Sequence, residues 1–302
     1  MARAERPSRP HEQGRRDGVV TRLVLAAACG AFAVLAPALT SDVSAQAAGL
    51  PPRDAFLRDV RERLTRSQEA AHRYEYKERR TELHLNPFGR MGTGGTNVFH
   101  VTPSPNAKLT YRRLIERNGV PVPQVELDRQ DAENAARVKR MTSNNDQDSA
   151  EARERRRNED LLASRRAQMI VDDVIGVLQF DLTKREFRGG KAQIVIAFAA
   201  KPGARPLTRE GQLMKAFRGN IWVDEASREI VDAQATAIDD VGFGGGLVAK
   251  IYEGMESSVE RREIDPGVWM PTRLTLRGEV RAIFRRTRID HVVEWFDYRL
   301  IS

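Results

Sequence analysis

Arg273-Leu274-Thr275-Leu276-Arg277-Gly278-Glu279-Val280-Arg281-Ala282-Ile283-Phe284 alternates with a period of two. Leu274, Leu276, Gly278, Val280, Ala282 and Phe284 fall on one side; Arg273, Thr275, Arg277, Glu279 and Arg281 fall on the other. Successive side chains of a strand point to opposite faces. The segment is therefore a strand with one face in an apolar interior and one in water, as in an antiparallel sheet wetted on one side.

Neighbouring segments extend this pattern in both directions. Val292 to Ile301, with Trp295, Phe296 and Tyr298, reads as a last strand, and Asp265-Pro266-Gly267 as a turn before the quoted one. Upstream, a long strand is expected from Leu247 to about Glu263, after the bend at Gly242-Phe243-Gly244-Gly245-Gly246. Phe217, Gly219, Ile221 and Val223 alternate with Arg218, Asn220 and Asp224, and a turn at 225–227 leads into Ile230 to Ile238. Lys191 to Ala200 is apolar on both sides: Ala192, Ile194, Ile196 and Phe198 against Val195 and Ala197. Near the start, Tyr74 to Leu85, Val98 to Val101 and Leu109 to Ile115 read as hairpin strands, with breaks at Asn86-Pro87-Phe88-Gly89, Pro103-Ser104-Pro105-Asn106 and Asn118-Gly119. Strands joined by short turns imply a meander that curls into an open barrel as it lengthens and twists.

Helices are few. Residues 52–73 carry Phe56, Leu57, Val60 and Leu64 at helical spacing behind Pro51, a stripe made to lie on the sheet. Residues 124–168 are dense in charge and poor in aromatics, with Glu151, Glu154 and Glu159 among Arg153, Arg155, Arg156 and Arg157. They read as two solvated helices with a break at Ser143-Asn144-Asn145-Asp146. From Met169 to Leu178 the helix turns apolar and should dock. The fold class expected is α+β: a curled antiparallel half-barrel packed against helices, one domain over 48–302, with the charged helical insertion at 124–168.

The first 47 residues read as a secretory signal. Arg15, Arg16 and Arg22 precede an apolar run from Leu23 to Leu39, and Val43-Ser44-Ala45-Gln46-Ala47 supplies small residues for cleavage after Ala45 or Ala47. The alternative is an uncleaved 23–39 segment anchoring the chain in the inner membrane. Of the net charge of +8, +6 falls after residue 47. Export turns that charge away from nucleic acid and toward anionic lipid head groups or an acidic protein surface. Cys29 is the only cysteine, so disulfides, thiol catalysis and cysteine-ligated zinc are excluded from the chain after the signal.

No catalytic constellation emerges, and no cofactor or metal site is expected. His72, His84, His100 and His291 are scattered, and no serine sits in a G-x-S-x-G elbow. Gly189-Gly190-Lys191-Ala192 is no phosphate loop, because Arg185 stands at its first glycine and Ala192 where Ser or Thr would hold magnesium. Leu247 occupies the last glycine position of a dinucleotide fingerprint, and Asp239-Asp240 read as solvated turn residues.

Gly219-Asn220-Ile221-Trp222-Val223-Asp224 followed by Arg228-Glu229-Ile230-Val231, and Gly267-Val268-Trp269-Met270-Pro271-Thr272 opening the next strand, resemble hairpins of outer-membrane lipoprotein-sorting proteins of the LolA/LolB type. The resemblance covers about the last third of the chain. It implies a half-open barrel closed by helices, whose apolar cavity receives acyl chains without a cofactor. On this reading the protein is a non-enzymatic periplasmic carrier or sensor of lipid or lipoprotein acyl chains, peripheral to the membrane. Ile194, Ile196, Phe198, Leu274, Leu276 and Phe284 would line the pocket, with Trp222 and Trp269 near its rim. The same fold serves envelope-stress regulators, so a second reading makes the charged 124–168 segment a surface for an envelope protein.

Overall fold

The computed structural model describes residues 49–85, 91–92, 95–104, 109–146, 150–243, 249–282 and 285–301. After α1 (Arg53–Ala71) come β1 (Tyr74–Leu85), β2 (Met91–Gly92), β3 (Thr96–Thr102), β4 (Tyr111–Arg117) and β5 (Val120–Pro121). Two long helices follow, α2 (Gln124–Asp146) and α3 (Ala150–Val177). Then come β6 (Leu178–Arg188), β7 (Lys191–Ala200), the short α4 (Arg209–Lys215), β8 (Phe217–Asp224), β9 (Ile230–Ala237), β10 (Val241–Phe243), β11 (Ala249–Ile251), β12 (Glu256–Asp265), β13 (Val268–Ala282) and β14 (Arg285–Leu300).

All fourteen strands belong to one antiparallel sheet, in the order β5-β4-β3-β1-β14-β13-β12-β9-β8-β7-β6, with β2 on β1 and the β10–β11 hairpin joined through β11 to β13. The chain enters at the middle of this sheet and steps outward to β5. Helices α2 and α3 carry it to the far edge at β6, and it returns strand by strand to lie beside its own first strand. Tyr74 faces Leu300 and Glu78 faces Trp295 across that seam. The sheet stays open, with β5 and β6 at its two ends.

A right-handed twist of roughly 20–25° per strand step accumulates over ten steps to more than a half-turn, so such a sheet cannot lie flat. It curls around one apolar cluster: Ile194, Ile196 and Phe198 from β7, Ile221 and Val223 from β8, Leu274 and Leu276 from β13, and Val293 and Trp295 from β14. Against them lie Phe56, Leu57, Val60 and Leu64 of α1, Val174 and Val177 of α3, and Leu213 and Met214 of α4. The α+β architecture, a curled sheet packed on helices, is the one the alternating segments predict.

Local chemistry explains the turns. Gly189 and Gly190 take φ of 57° and 77° between β6 and β7, the primed-turn geometry that favours two glycines. Asn118 (φ 52°) and Gly119 (φ 80°) do the same between β4 and β5. Where the two-residue β5 leaves the edge of β4 unpaired, a side chain takes its place: Gln130 of α2 accepts from the Leu114 N–H (2.8 Å) and donates to its carbonyl (3.1 Å), imitating a strand partner. At the other edge, β6 carries a register shift between Leu182 and Lys184 and a charged row at Lys184, Arg185, Glu186 and Arg188, which discourages further pairing.

The break expected at Ser143–Asp146 lies within α2, which continues to Asp146, and two further expectations need correction. The strand from Leu247 to Glu263 is broken. Gly254 (φ 81°) turns the chain so that its N–H donates to the Ala237 carbonyl and Ala237 N–H donates to Met255 O, both at 2.8 Å. This draws Met255 into the core and separates β11 from β12. The second concerns the helix ending at Leu178. It passes without a linker into β6, whose alternation of Leu178, Phe180 and Leu182 with Gln179, Asp181 and Thr183 is plain in the sequence. The turn predicted at Asn86–Gly89 lies outside the described residues, as do 244–248 and Phe284.

Gly219 marks the closest approach of β8 to its surroundings. A Cβ there would overlap the Gln234 carbonyl oxygen and lie 2.8 Å from the Phe198 ring. Gly219→Ala should therefore lower stability by about 1–3 kcal/mol through overpacking against backbone that cannot move aside. Urea denaturation checks this; unchanged stability would show that the strand relaxes freely.

Candidate functional site: the apolar face and its helical cover

The apolar face is built by the inward positions of β7 to β9 and β12 to β14. Five of the residues predicted to line it meet there: Ile194 and Ile196 are 0 % exposed, Leu274 and Leu276 1 %, and Phe198 3 %. The two tryptophans are not among this cluster. Trp222 stands between Ile221 and Val223, so its ring lies on the opposite face, across from Val195. There its Nε1 donates to Glu186 Oε2 at 3.0 Å, and the Arg188 guanidinium packs 4.5 Å from the ring. Trp269 is buried elsewhere; its carbonyl accepts from Arg261 Nη2 at 2.9 Å, and the Lys191 ammonium lies 5.9 Å from its ring. Strand alternation alone foretells the Trp222 placement.

Helix α1 is the cover on this face. Phe56, Leu57, Val60 and Leu64 repeat at helical spacing, while Arg58, Glu62, Arg63, Thr65 and Arg66 stay in water. One position further along the buried stripe is a hydroxyl, Ser67. Its Oγ donates to Glu229 Oε1 at 3.0 Å, and Arg261 Nη1 donates to Glu229 Oε2 at 3.2 Å and to the Ile230 carbonyl at 3.3 Å. Glu229 is 3 % exposed and Arg261 8 %. Burial pushes the Arg261 pKa down, and the neighbouring carboxylate of Glu229 opposes it.

The residue before Glu229 holds α1 at a second point. Arg228, at φ 64°, packs its guanidinium 4.8 Å from the Phe56 ring and 3.6 Å from Asp59 Oδ2. Asp59 and Ser67 are separated by about 12 Å along the helix at 1.5 Å per residue. The β8–β9 turn thus clasps the helix twice. A third contact, Arg53 to Asp181 at 3.8 Å, reaches β6.

The rest of the cover is fastened by Asp173 of α3. Thr208 caps α4, accepting from Gly211 N–H at 2.9 Å, and its own hydroxyl donates to Asp173 Oδ2 at 2.6 Å. Backbone N–H groups of Leu207 (2.9 Å) and Thr208 (2.7 Å) donate to the same carboxylate. Burial pushes the Asp173 carboxyl up, but these three donors outweigh it and hold it below its ordinary 3.8. Beyond this docked end, α2 is anchored by Asp131, which accepts from the Tyr111 hydroxyl and from Arg113, each at 2.7 Å. Burial, with the Asp131 bond second, pushes the Tyr111 hydroxyl up to about 12.

Polar chemistry is engaged rather than free at the buried acids. Glu78 accepts from Arg80 (2.6 Å) and from Trp295 Nε1 (3.0 Å). His100 meets Glu75 at 3.2 Å, and the buried His291 stands 4.0 Å from Glu82. Asp239 and Asp240 are both exposed at the bend between β9 and β10, where Lys250 lies 2.6 Å from Asp240, which also accepts from Glu253 N–H at 2.9 Å. Among the described residues no group of three or more His, Cys, Asp or Glu could hold a metal ion. What the arrangement offers is an apolar surface under a helical lid. The hydroxyl and ion pair beneath α1 carry no hydrophobic periodicity of their own; the one sequence signal is a serine continuing an apolar stripe.

The sequence matches no family model and no curated protein. Among solved structures the chain is similar to a DUF1329 family protein from Desulfovibrio piger, at 12 % identity and a TM-score of 0.32, covering 84 % of this chain and 96 % of that one. It is also similar to a LolA superfamily protein from Nitrosomonas europaea, at 9 % identity and a TM-score of 0.27, covering 79 % of this chain and 93 % of that one. A third is the Pseudomonas aeruginosa MucA/MucB complex, at 7 % identity and a TM-score of 0.22, covering 81 % and 99 %. The LolA superfamily is the one the C-terminal hairpins resemble. Similarities this remote assign no activity to the chain.

Two outcomes test the fastenings. Arg261→Met should cost about 3–5 kcal/mol because it strands the Glu229 carboxylate, while Glu229→Gln with Arg261→Met should recover much of that loss; a double-mutant cycle in urea reads the coupling. The stabilisation from Asp173 is present above pH 3.8, the carboxyl's ordinary value, and is lost as pH falls through its lower folded value. Asp173→Asn should thus reduce stability at neutral pH and flatten the acid limb of the stability–pH curve. An unchanged acid limb would remove Asp173 from the account.

Proposed function

We propose that the protein is a non-enzymatic binding protein of the cell envelope. It carries or senses a lipid or lipoprotein acyl chain on the face made by Ile194, Ile196, Phe198, Leu274 and Leu276, with α1 as the displaceable cover. The observation that supports this most is how α1 is held: four apolar side chains on one stripe, two polar clasps from the β8–β9 turn and one ion pair to β6. A helix seated that way can leave as a unit. Burying four such side chains stabilises by about 6–12 kcal/mol, and an acyl chain of roughly sixteen carbons, at about 0.8 kcal/mol per methylene, offers a comparable amount. The exchange of helix for hydrocarbon is therefore near balance, as a carrier that must also release its cargo requires.

Placement in the envelope rests on the signal-like residues 1–47, which lie outside the described residues. Among the described residues no helix is long and apolar enough to cross a membrane. The chemistry needed is hydrophobic throughout.

If α1 and an acyl chain compete for one face, weakening the α1 seat raises uptake. Ser67→Ala, and separately Leu64→Ala, should increase binding of a fluorescent sixteen-carbon fatty acid several-fold, with circular dichroism confirming that the sheet persists. Native mass spectrometry of protein purified from envelope should show bound lipid. A protein that emerges empty and takes up no acyl probe in any of the three forms refutes the carrier reading.

A further inference from the structure

Helix α3 has two unlike halves. Its last turns dock through Val174, Ile175 and Val177, but further back Leu162 is 62 % exposed and Leu161 and Met169 are each 49 % exposed. Leu162 and Met169 are seven residues apart, two turns, and so share a face. Arg165 and Arg166, three and four residues after Leu162, flank the same stripe, and Asn158 precedes it by one turn; all three are exposed. From Leu161 to Met169 the chain holds two arginines and no acid.

We propose that this stripe docks the protein on an anionic phospholipid surface. Apolar side chains bordered by arginines suit an interfacial helix: leucine and methionine enter the head-group boundary, arginine stems lie along it, and the guanidinium groups meet lipid phosphates. A protein partner fits less well. A specific interface needs about 800 Å² on each side and buried aromatic anchors, and residues 150–169 contain no aromatic residue. The charge of the patch supplies the complementarity; its three aliphatic side chains supply a shallow foothold. The inference does not depend on acyl-chain binding, since a docking surface and a cargo site answer to different probes.

A polarity-sensitive dye on Asn158→Cys, in the full chain carrying Cys29→Ser, reads local contact independently of the apolar run at 23–39. Vesicles rich in phosphatidylglycerol should shift its emission to the blue, vesicles of phosphatidylcholine alone should not, and added salt should weaken the response. Arg165→Glu with Arg166→Glu, and separately Leu162→Ser with Met169→Ser, should each lower the apparent affinity about tenfold or more. These positions are solvent-exposed, and unchanged thermal melts verify that each variant is folded. No blue shift with anionic vesicles, a shift indifferent to both paired variants, or a response to soluble polyglutamate in place of vesicles overturns the proposal.

Discussion

A sheet with one apolar face must have that face covered, and every other feature of this protein follows from how the cover is made. The inward rows of six strands form a surface too wide for one helix. The sheet curls, and three helices of different origin share what remains: α1 from the start of the described chain, the end of α3, and the short α4. None of them is a separate layer. Each contributes a few apolar side chains and is held by polar fastenings.

The fastenings differ in kind. At α3 and α4 a carboxylate collects three donors, which fixes a loop and a helix start together. At α1 the buried Glu229–Arg261 pair receives a single hydroxyl from the helix, while the pair itself bridges the β8–β9 turn and β12. Buried ion pairs contribute little net stability once desolvation is counted, but they penalise any arrangement that leaves one partner alone. The sheet side of that contact therefore keeps its own pairing without α1, whereas the helix gives up one hydrogen bond there and, elsewhere, the exposed ion pairs of Asp59 with Arg228 and of Arg53 with Asp181. That asymmetry makes α1 the natural element to move.

The outer face follows another logic. Lys184, Glu186, Arg188, Asp232 and Trp222 form a half-buried charged layer in which a tryptophan sits beneath a guanidinium. Burial raises the Asp232 carboxyl while Gln234 and Arg188 pull it down. Such a layer keeps a broad sheet surface wet and solitary, leaving the exposed stripe on α3 as the apolar feature turned to solvent along that helix.

Period-two alternation by itself determined the strands, their inward rows and the curled α+β class, because burial on one face writes a pattern with the spacing of the backbone. Leu274 and Leu276 are inside for that reason, and Trp222 is outside by the same rule. Helical spacing likewise marked the α1 stripe. Only the tertiary structure decided that β1 closes against β14, that the chain breaks at Gly254, and that Ser67 meets an ion pair drawn from two other elements. Those contacts join residues far apart in the chain, such as Ser67 and Glu229, and nothing local in a sequence encodes a partner that distant. Pairing across such a gap is selected by the free energy of the whole packed sheet.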